Sequence, residues 1–214
     1  MRYEKGRKEA THQRIIEVAA QEFRKRGIAA TGLAGIMEEA GLTIGAFYPN
    51  FASKAELVSE TLTYVLDRQH VKMKGVIENG GGLEAGIRSY LNKEHLANPQ
   101  DGCPSAALLP EVARQADDAR SAYKDGLLPF IEMLAEQLPE LDAKAAKARA
   151  LTLFGLLVGT LQIARAIPDA ALADSVLSEG IEAAMSVAGT RVSRVPRPAA
   201  KAVRKLPKKS NPRK

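Results

Sequence analysis

Between Gly27 and Ser53, helix stops and starts follow one another faster than anywhere else in this 214-residue chain. Leu33, Ile36, Met37 and Ala40 recur at i, i+3, i+4 and i+7, the spacing that gathers apolar side chains on one helix face. Thr31 or Gly32 opens that pattern and Gly41 ends it; Thr43 can cap another helix only two residues later. Two short helices joined through a glycine in so tight a turn match either a plain packed αα corner or a helix-turn-helix, whose second helix can enter a DNA major groove. On a helical wheel Phe47 and Phe51 share one face, and Gly45, Ala46, Tyr48 and Pro49 fall largely on the other. The phenylalanines are expected to lock the segment onto Phe23 and Ile36, with the small residues at 45 and 46 free to bring backbone close to bases. Pro49 lacks the N–H that would bond the Gly45 carbonyl, so the second helix is expected to end or kink there, less than two turns long.

The rest of the chain is punctuated in the same way. Thr11 is expected to cap a first helix carrying Ile15, Ile16, Ala19 and Phe23, with Gly27 as its stop. Ser53-Lys54-Ala55-Glu56 reads as a capping box ahead of a long helical pattern to about Glu78, broken by Gly80-Gly81-Gly82. Further helices are expected near 83–97, 104–115, 117–138, 142–166 and 170–189, and no useful β alternation is found. The fold class is therefore all-α.

Charge divides the chain. Residues 1–55 hold nine basic and six acidic side chains, 56–190 hold twelve and nineteen, and 191–214 hold ten and none, with four prolines. Basic ends around an acidic middle suggest polyanion contact at the ends. The last segment has almost nothing to bury and reads as a disordered basic tail. A lone cysteine, Cys103, and three scattered histidines offer no disulfide and no metal-ligand spacing. With no phosphate-cradling glycine loop either, no metal, no cofactor and no enzymatic activity are expected. No run of about 18 apolar residues predicts a membrane span, which suits a cytoplasmic protein.

Ile36, Ala40-Gly41-Leu42-Thr43, Gly45, Phe47-Tyr48, Phe51, Ser53-Lys54 and Leu57 together resemble the TetR family of bacterial transcriptional regulators. The likeness runs from about Thr11 to Leu57. It implies an N-terminal three-helix DNA-binding head, a helical ligand-binding and dimerisation body, and release of double-stranded operator DNA when an effector binds. On this reading residues 1–10 form a basic arm, 11–57 the head, 58–190 the body and 191–214 the tail. The candidate DNA contacts are Lys5, Arg7, Thr31, Thr43, Ile44, Gly45, Ala46, Tyr48, Asn50 and Lys54. Tyr48 can donate to a phosphate, and Lys54 sits in a first helical turn that favours one. Ile44 offers apolar contact to a thymine methyl, or packs inward. With few base-edge donors, much of the specificity is expected from DNA shape.

The segment Leu151–Leu161 is apolar around nearly its whole circumference and is expected to be buried. Gly155 and Gly159, with Ile163 and Ile181, are the candidate homodimer interface. The candidate wall of a cavity for a hydrophobic or aromatic effector is Leu66, His70, Cys103, Leu108, Tyr123, Leu127, Phe130, Met133, Phe154 and Leu157. Pro104 favours the first position of a helix, which makes Cys103 its N-cap, and relatives that sense electrophiles suggest modification of Cys103 as another trigger. Two other classes stay open: an architectural DNA-binding protein working through the tail, and a cysteine-dependent enzyme.

Overall fold

In the computed structural model, residues 2–138 and 142–189 are described, the first four of them as backbone only. The basic segment 191–214 lies outside the described residues. Among the described residues there are helices and turns and no strand.

Helix α1 runs Arg2–Arg26. It takes in the segment expected as an arm, because residues 2–10 are mostly strong helix formers. Thr11 is consequently no cap: it lies inside α1 and donates its hydroxyl to the Arg7 carbonyl at 2.9 Å. Gly27, at φ +91°, ends the helix. Helix α2 spans Leu33–Glu39. Its exit needs Gly41 in the left-handed region, at φ +67°, so that the Leu42 N–H can turn back to the Met37 carbonyl at 2.8 Å. The second helix of the motif is cut short. Only Ile44–Ala46 forms a single 3₁₀ turn, followed by plain turns to Asn50, as the missing Pro49 N–H requires.

Helix α3, Lys54–Val76, starts at a Ser53 cap that accepts from the Glu56 N–H at 3.1 Å. It ends in a widened turn, Ile77–Gly81, where Gly80 leaves helical geometry. The pattern expected as one helix over 83–97 is two, α4 Gly82–Tyr90 and α5 Lys93–Ala97, because the Asn92 side chain caps the second by accepting from the His95 N–H at 2.7 Å. Helices α6 Pro104–Val112, α7 Asp117–Glu136, α8 Ala143–Ala166 and α9 Ala170–Ala188 complete the body. There α3 packs chiefly on α7, and α8 lies against α7 and α9.

Apolar burial forms two clusters. One joins Phe23, Ile36, Phe47, Phe51 and Leu57 with Val58, Leu62, Leu108, Val112 and Ala119. The other, centred on Phe130, Ile131, Leu153, Phe154 and Leu157, fills the bundle. Helix α8 departs from expectation. One side of it is core, but Leu151, Gly155 and Ile163 stay on the surface of the isolated chain, and Ile163 is 57% exposed. Among the described residues it alone is long and apolar enough to cross a membrane, by length and composition. Its buried side packs as the core helix of a bundle does.

Phe47 is wholly buried and touches both Tyr48 and Phe51. Phe47→Ala is expected to lower stability by about 3–5 kcal/mol, read as a shift of the urea midpoint; Phe47→Leu should cost less than half of that.

Candidate nucleic-acid interface and its link to the body

The burial of Phe47 and Phe51 fixes what their reverse side presents. Thr43, Ile44, Gly45 and Tyr48 are exposed there, Ile44 at 46% and Tyr48 at 67%. Ile44 thus does not pack inward. Tyr48 is propped by an edge-on Phe47 ring 5.5 Å away. A Cβ built on Gly45 would meet nothing closer than the Thr43 hydroxyl, at 3.9 Å, so a flat surface can approach its backbone. Ala46 is half-buried against the head cluster. Arg7 is exposed on α1, and Lys5 lies within the same helix.

Three of the expected contact residues bond backbone carbonyls within the head. Thr31 is buried, and its hydroxyl donates to the Gly27 carbonyl at 2.7 Å. The Lys54 ammonium donates to the Ile28 carbonyl at 2.6 Å. Asn50 donates from Nδ2 to the Ala46 carbonyl at 2.7 Å, a carbonyl left free because the Asn50 N–H bonds Phe47 instead. Helical spacing cannot distinguish a hydroxyl or ammonium that reaches outward from one that closes a local turn. Sequence reasoning also missed His12, which stacks on Phe51 at 4.5 Å and meets a Glu60 carboxylate oxygen at 3.1 Å, tying α1 to α3.

The corner between α1 and α2 is also held from the body. Glu111, on α6, accepts from the Ala29 N–H at 2.8 Å, and its carboxylate sits against Gly27, where a Cβ would collide with it. Leu108 and Val112 of the same helix are part of the head cluster. Pro110 denies the Ala106 carbonyl its usual donor, and Gln162 Nε2 of α8 supplies one at 3.2 Å, pinning α6 to the bundle.

The other end of α6 starts at Cys103, which is buried and occupies the N-cap position with Pro104 next. Its thiol makes no capping bond, and its N–H donates to His95 Nε2 at 2.9 Å. That acceptor role leaves the proton on Nδ1, which donates to the Tyr90 carbonyl at 2.7 Å. Burial, chiefly, holds the His95 imidazole down to about 4, below its usual 6.5, with the Arg165 cation acting in the same direction and the Tyr90 carbonyl opposing both. Arg165 in turn donates to the His95 and Leu96 carbonyls, fixing α5 on α8.

Beside this cluster a cleft of about 1240 Å³ opens between α1, α3 and the segment 89–103. Of the ten residues expected on an effector cavity wall, Cys103 lines it and the others do not. Phe130, Met133, Phe154 and Leu157 interlock as bundle core, with Leu127 against them. Leu108 belongs to the head cluster and Tyr123 packs on it, its hydroxyl 2.9 Å from that of Ser105. Leu66 is buried beneath Gly126, and His70 is half-exposed on α3. Apolar spacing marks burial, and most burial here is closed packing.

Residues 15–61 match the model of bacterial regulatory proteins of the tetR family. The chain is 48% identical over 62 residues to the HTH-type transcriptional regulator TtgR of Pseudomonas putida, a stretch covering 29% of this chain and 30% of the relative. It is 27% identical over 109 residues to the HTH-type transcriptional repressor KstR2 of Rhodococcus jostii, covering 51% and 53%. The chain thus spans about a third to a half of these curated relatives. Among solved structures, a TetR-family regulator from Cytophaga hutchinsonii superposes with a TM-score of 0.69 at 23% identity, covering 88% of this chain and 98% of that one. The reduced form of E. coli NemR does so with a TM-score of 0.67 at 21% identity, covering 83% and 96%. At such identities the superpositions establish the common fold, body included.

Because folding lowers the His95 pKa, the unfolded chain takes up a proton here first. This group's contribution to stability is complete above pH 6.5 and is lost as pH falls toward about 4. The loss should be on the order of 2 kcal/mol after allowance for partial exposure. His95→Gln is expected to flatten that part of the urea-midpoint profile against pH.

Proposed function

We propose that this protein, which residues 15–61 place in the TetR family of bacterial regulatory proteins, is a transcriptional repressor that binds a palindromic operator as a homodimer and releases it when a small effector binds. The observation that carries this reading is the exposed edge Thr43, Ile44, Gly45 and Tyr48 over the buried Phe47 and Phe51. Ile44 meets a thymine methyl, Tyr48 donates to a phosphate, and the bare Gly45 backbone lets the turn seat closely. One 3₁₀ turn offers few base-edge donors, so groove width and deformability supply much of the selectivity. Arg7 and Lys5, on the first turns of α1, add phosphate contacts.

A palindrome needs two heads at a fixed separation of about 34 Å. Leu151, Gly155, Gly159 and Ile163 recur every fourth residue along α8, and among the described residues nothing beyond the helix's own neighbouring backbone lies within 4 Å of a Cβ placed on either glycine. This strip and the adjoining face of α9 with Ile181 pack against their counterparts in a four-helix interface. Helix α6 is the transmission element, with the His95–Cys103 contact at one end and Glu111 on the head corner at the other. Flipping operator occupancy from 99:1 to 1:99 takes about 5.5 kcal/mol of differential affinity, within the usual 4–10 kcal/mol margin of specific over non-specific DNA binding. Modification of Cys103 would disturb the same end of α6.

Fragments of the source genome selected on the protein should share an inverted repeat, and Tyr48→Phe should weaken binding about five-fold, near 1 kcal/mol. Equal affinity for random and selected DNA would end the repressor reading. Ile163→Asp is expected to yield monomers in light scattering and to reduce operator affinity at least tenfold; an unchanged dimer would remove α8 from the interface.

A further inference from the structure

The cleft between α1, α3 and the segment 89–103 holds three cationic side chains that make no ion pair among the described residues. Arg24, half-buried on α1, donates its Nε–H to the Gln100 carbonyl at 2.6 Å. Arg68, one wall of the cleft away on α3, stacks its guanidinium 5.4 Å over the Tyr64 ring and donates to that hydroxyl at 3.0 Å. Lys72 lies one turn further along α3. Among the described residues none of the three has a carboxylate oxygen within 4 Å. Burial lowers the Arg24 pKa, with Arg68 pushing it further the same way and Asp101 opposing.

The carboxylates on this cleft, Glu17, Asp67, Glu94 and Asp101, are all exposed to water, and Glu17 already accepts from Gln13 and Tyr64. Of the charges on this cleft only the Arg24 guanidinium is withdrawn from water, Arg68 and Lys72 being exposed like the carboxylates, and a withdrawn cation calls for a counter-charge. Two further groups wait on the same walls. Gln69 Oε1 is buried with no hydrogen-bond partner, and Tyr90 Oη is buried with only the weakly bonding Cys103 thiol beside it, an arrangement disfavoured unless something completes it. Beside them Ala20, Val65 and Met73 supply buried apolar surface.

We propose that this cleft binds a small amphipathic organic anion, its carboxylate or sulfonate held by Arg24, Arg68 and Lys72, its apolar body laid against Val65 and Met73, and a polar atom accepting from the Tyr90 hydroxyl. The effector of the reading above is then of this class, and the proposal rests on that reading for its effect on DNA, though binding stands apart from it. Such a ligand bridges α1 of the head to α3 and to the segment that ends at Cys103. Its place differs from the closed bundle core in which a hydrophobic effector was expected.

The test uses the full chain and two fluorescent probes of one shape, 8-anilinonaphthalene-1-sulfonate and its uncharged counterpart N-phenyl-1-naphthylamine. The sulfonate should bind saturably at one site per chain. The double variant Arg68→Gln/Lys72→Gln, both positions exposed, should weaken it at least tenfold and leave the uncharged probe unmoved. Val71→Glu, a substitution on an exposed position of the cleft wall, should do the same. Circular dichroism confirms that each variant is folded. Sulfonate affinity unchanged in both variants, or equal weakening of the two probes, would overturn the site. Cleft-dependent sulfonate binding with unaltered operator affinity would keep the site and refute its role as effector pocket.

Discussion

Leu108 and Val112 reach from α6 into the cluster that holds Phe47 and Phe51, and Ala119 of α7 closes it beside them. The exposed turn from Thr43 to Tyr48 therefore rests on a core that the body completes. Burial of one Leu or Val side chain contributes about 1.5–3 kcal/mol, so these contacts are too large to be let go casually when α6 shifts. Packed cores have discrete arrangements and do not deform smoothly. In the proposed mechanism, a displacement of α6 would be passed to the keel beneath Ile44 and Tyr48. The Glu111 carboxylate on the Ala29 N–H adds a directional tie where apolar packing alone would allow slip.

The far end of α6 is built from a different material. There the contacts are polar and local: Cys103 N–H on His95, His95 on the Tyr90 carbonyl, Arg165 on the carbonyls of α5. Arg24 reaches from α1 to Gln100 in the same neighbourhood. One short helix thus joins an apolar socket in the head to a hydrogen-bonded collar around the cleft. The expected boundary at residue 57 falls within the apolar cluster, which continues through Val58 and Leu62. A continuous α3 crosses it as well.

Much of the head was legible because its signals are local. Gly41 had to stand where the backbone takes a left-handed turn, and Pro49 removed a specific hydrogen bond, so both consequences could be read from residue chemistry. Phe47 and Phe51 were legible from period alone. The failures share another cause. Thr31, Lys54 and Asn50 were assigned outward because their types suit phosphate, yet each found a backbone carbonyl nearer home. Thr11 looked like a cap because threonine suits that position, yet the residues before it are good helix formers and carry the helix past it. Nine of the ten residues expected on a cavity wall lie away from the cleft because an apolar stripe identifies what is buried, not whether the space beside it is filled. The cleft that does exist is lined by Arg24, Arg68 and His95, residues whose convergence depends on three elements far apart in sequence.

Gly45 stands at the crest of the exposed edge, its φ is not positive, and an added Cβ would meet only the Thr43 hydroxyl, at the ordinary contact distance of 3.9 Å. A residue introduced there would point chiefly to the outside. If the proposed edge meets DNA, recognition and folding are decoupled at that single codon, and a panel of substitutions at position 45 would retune which sequences are preferred while the scaffold beneath stays indifferent to the choice.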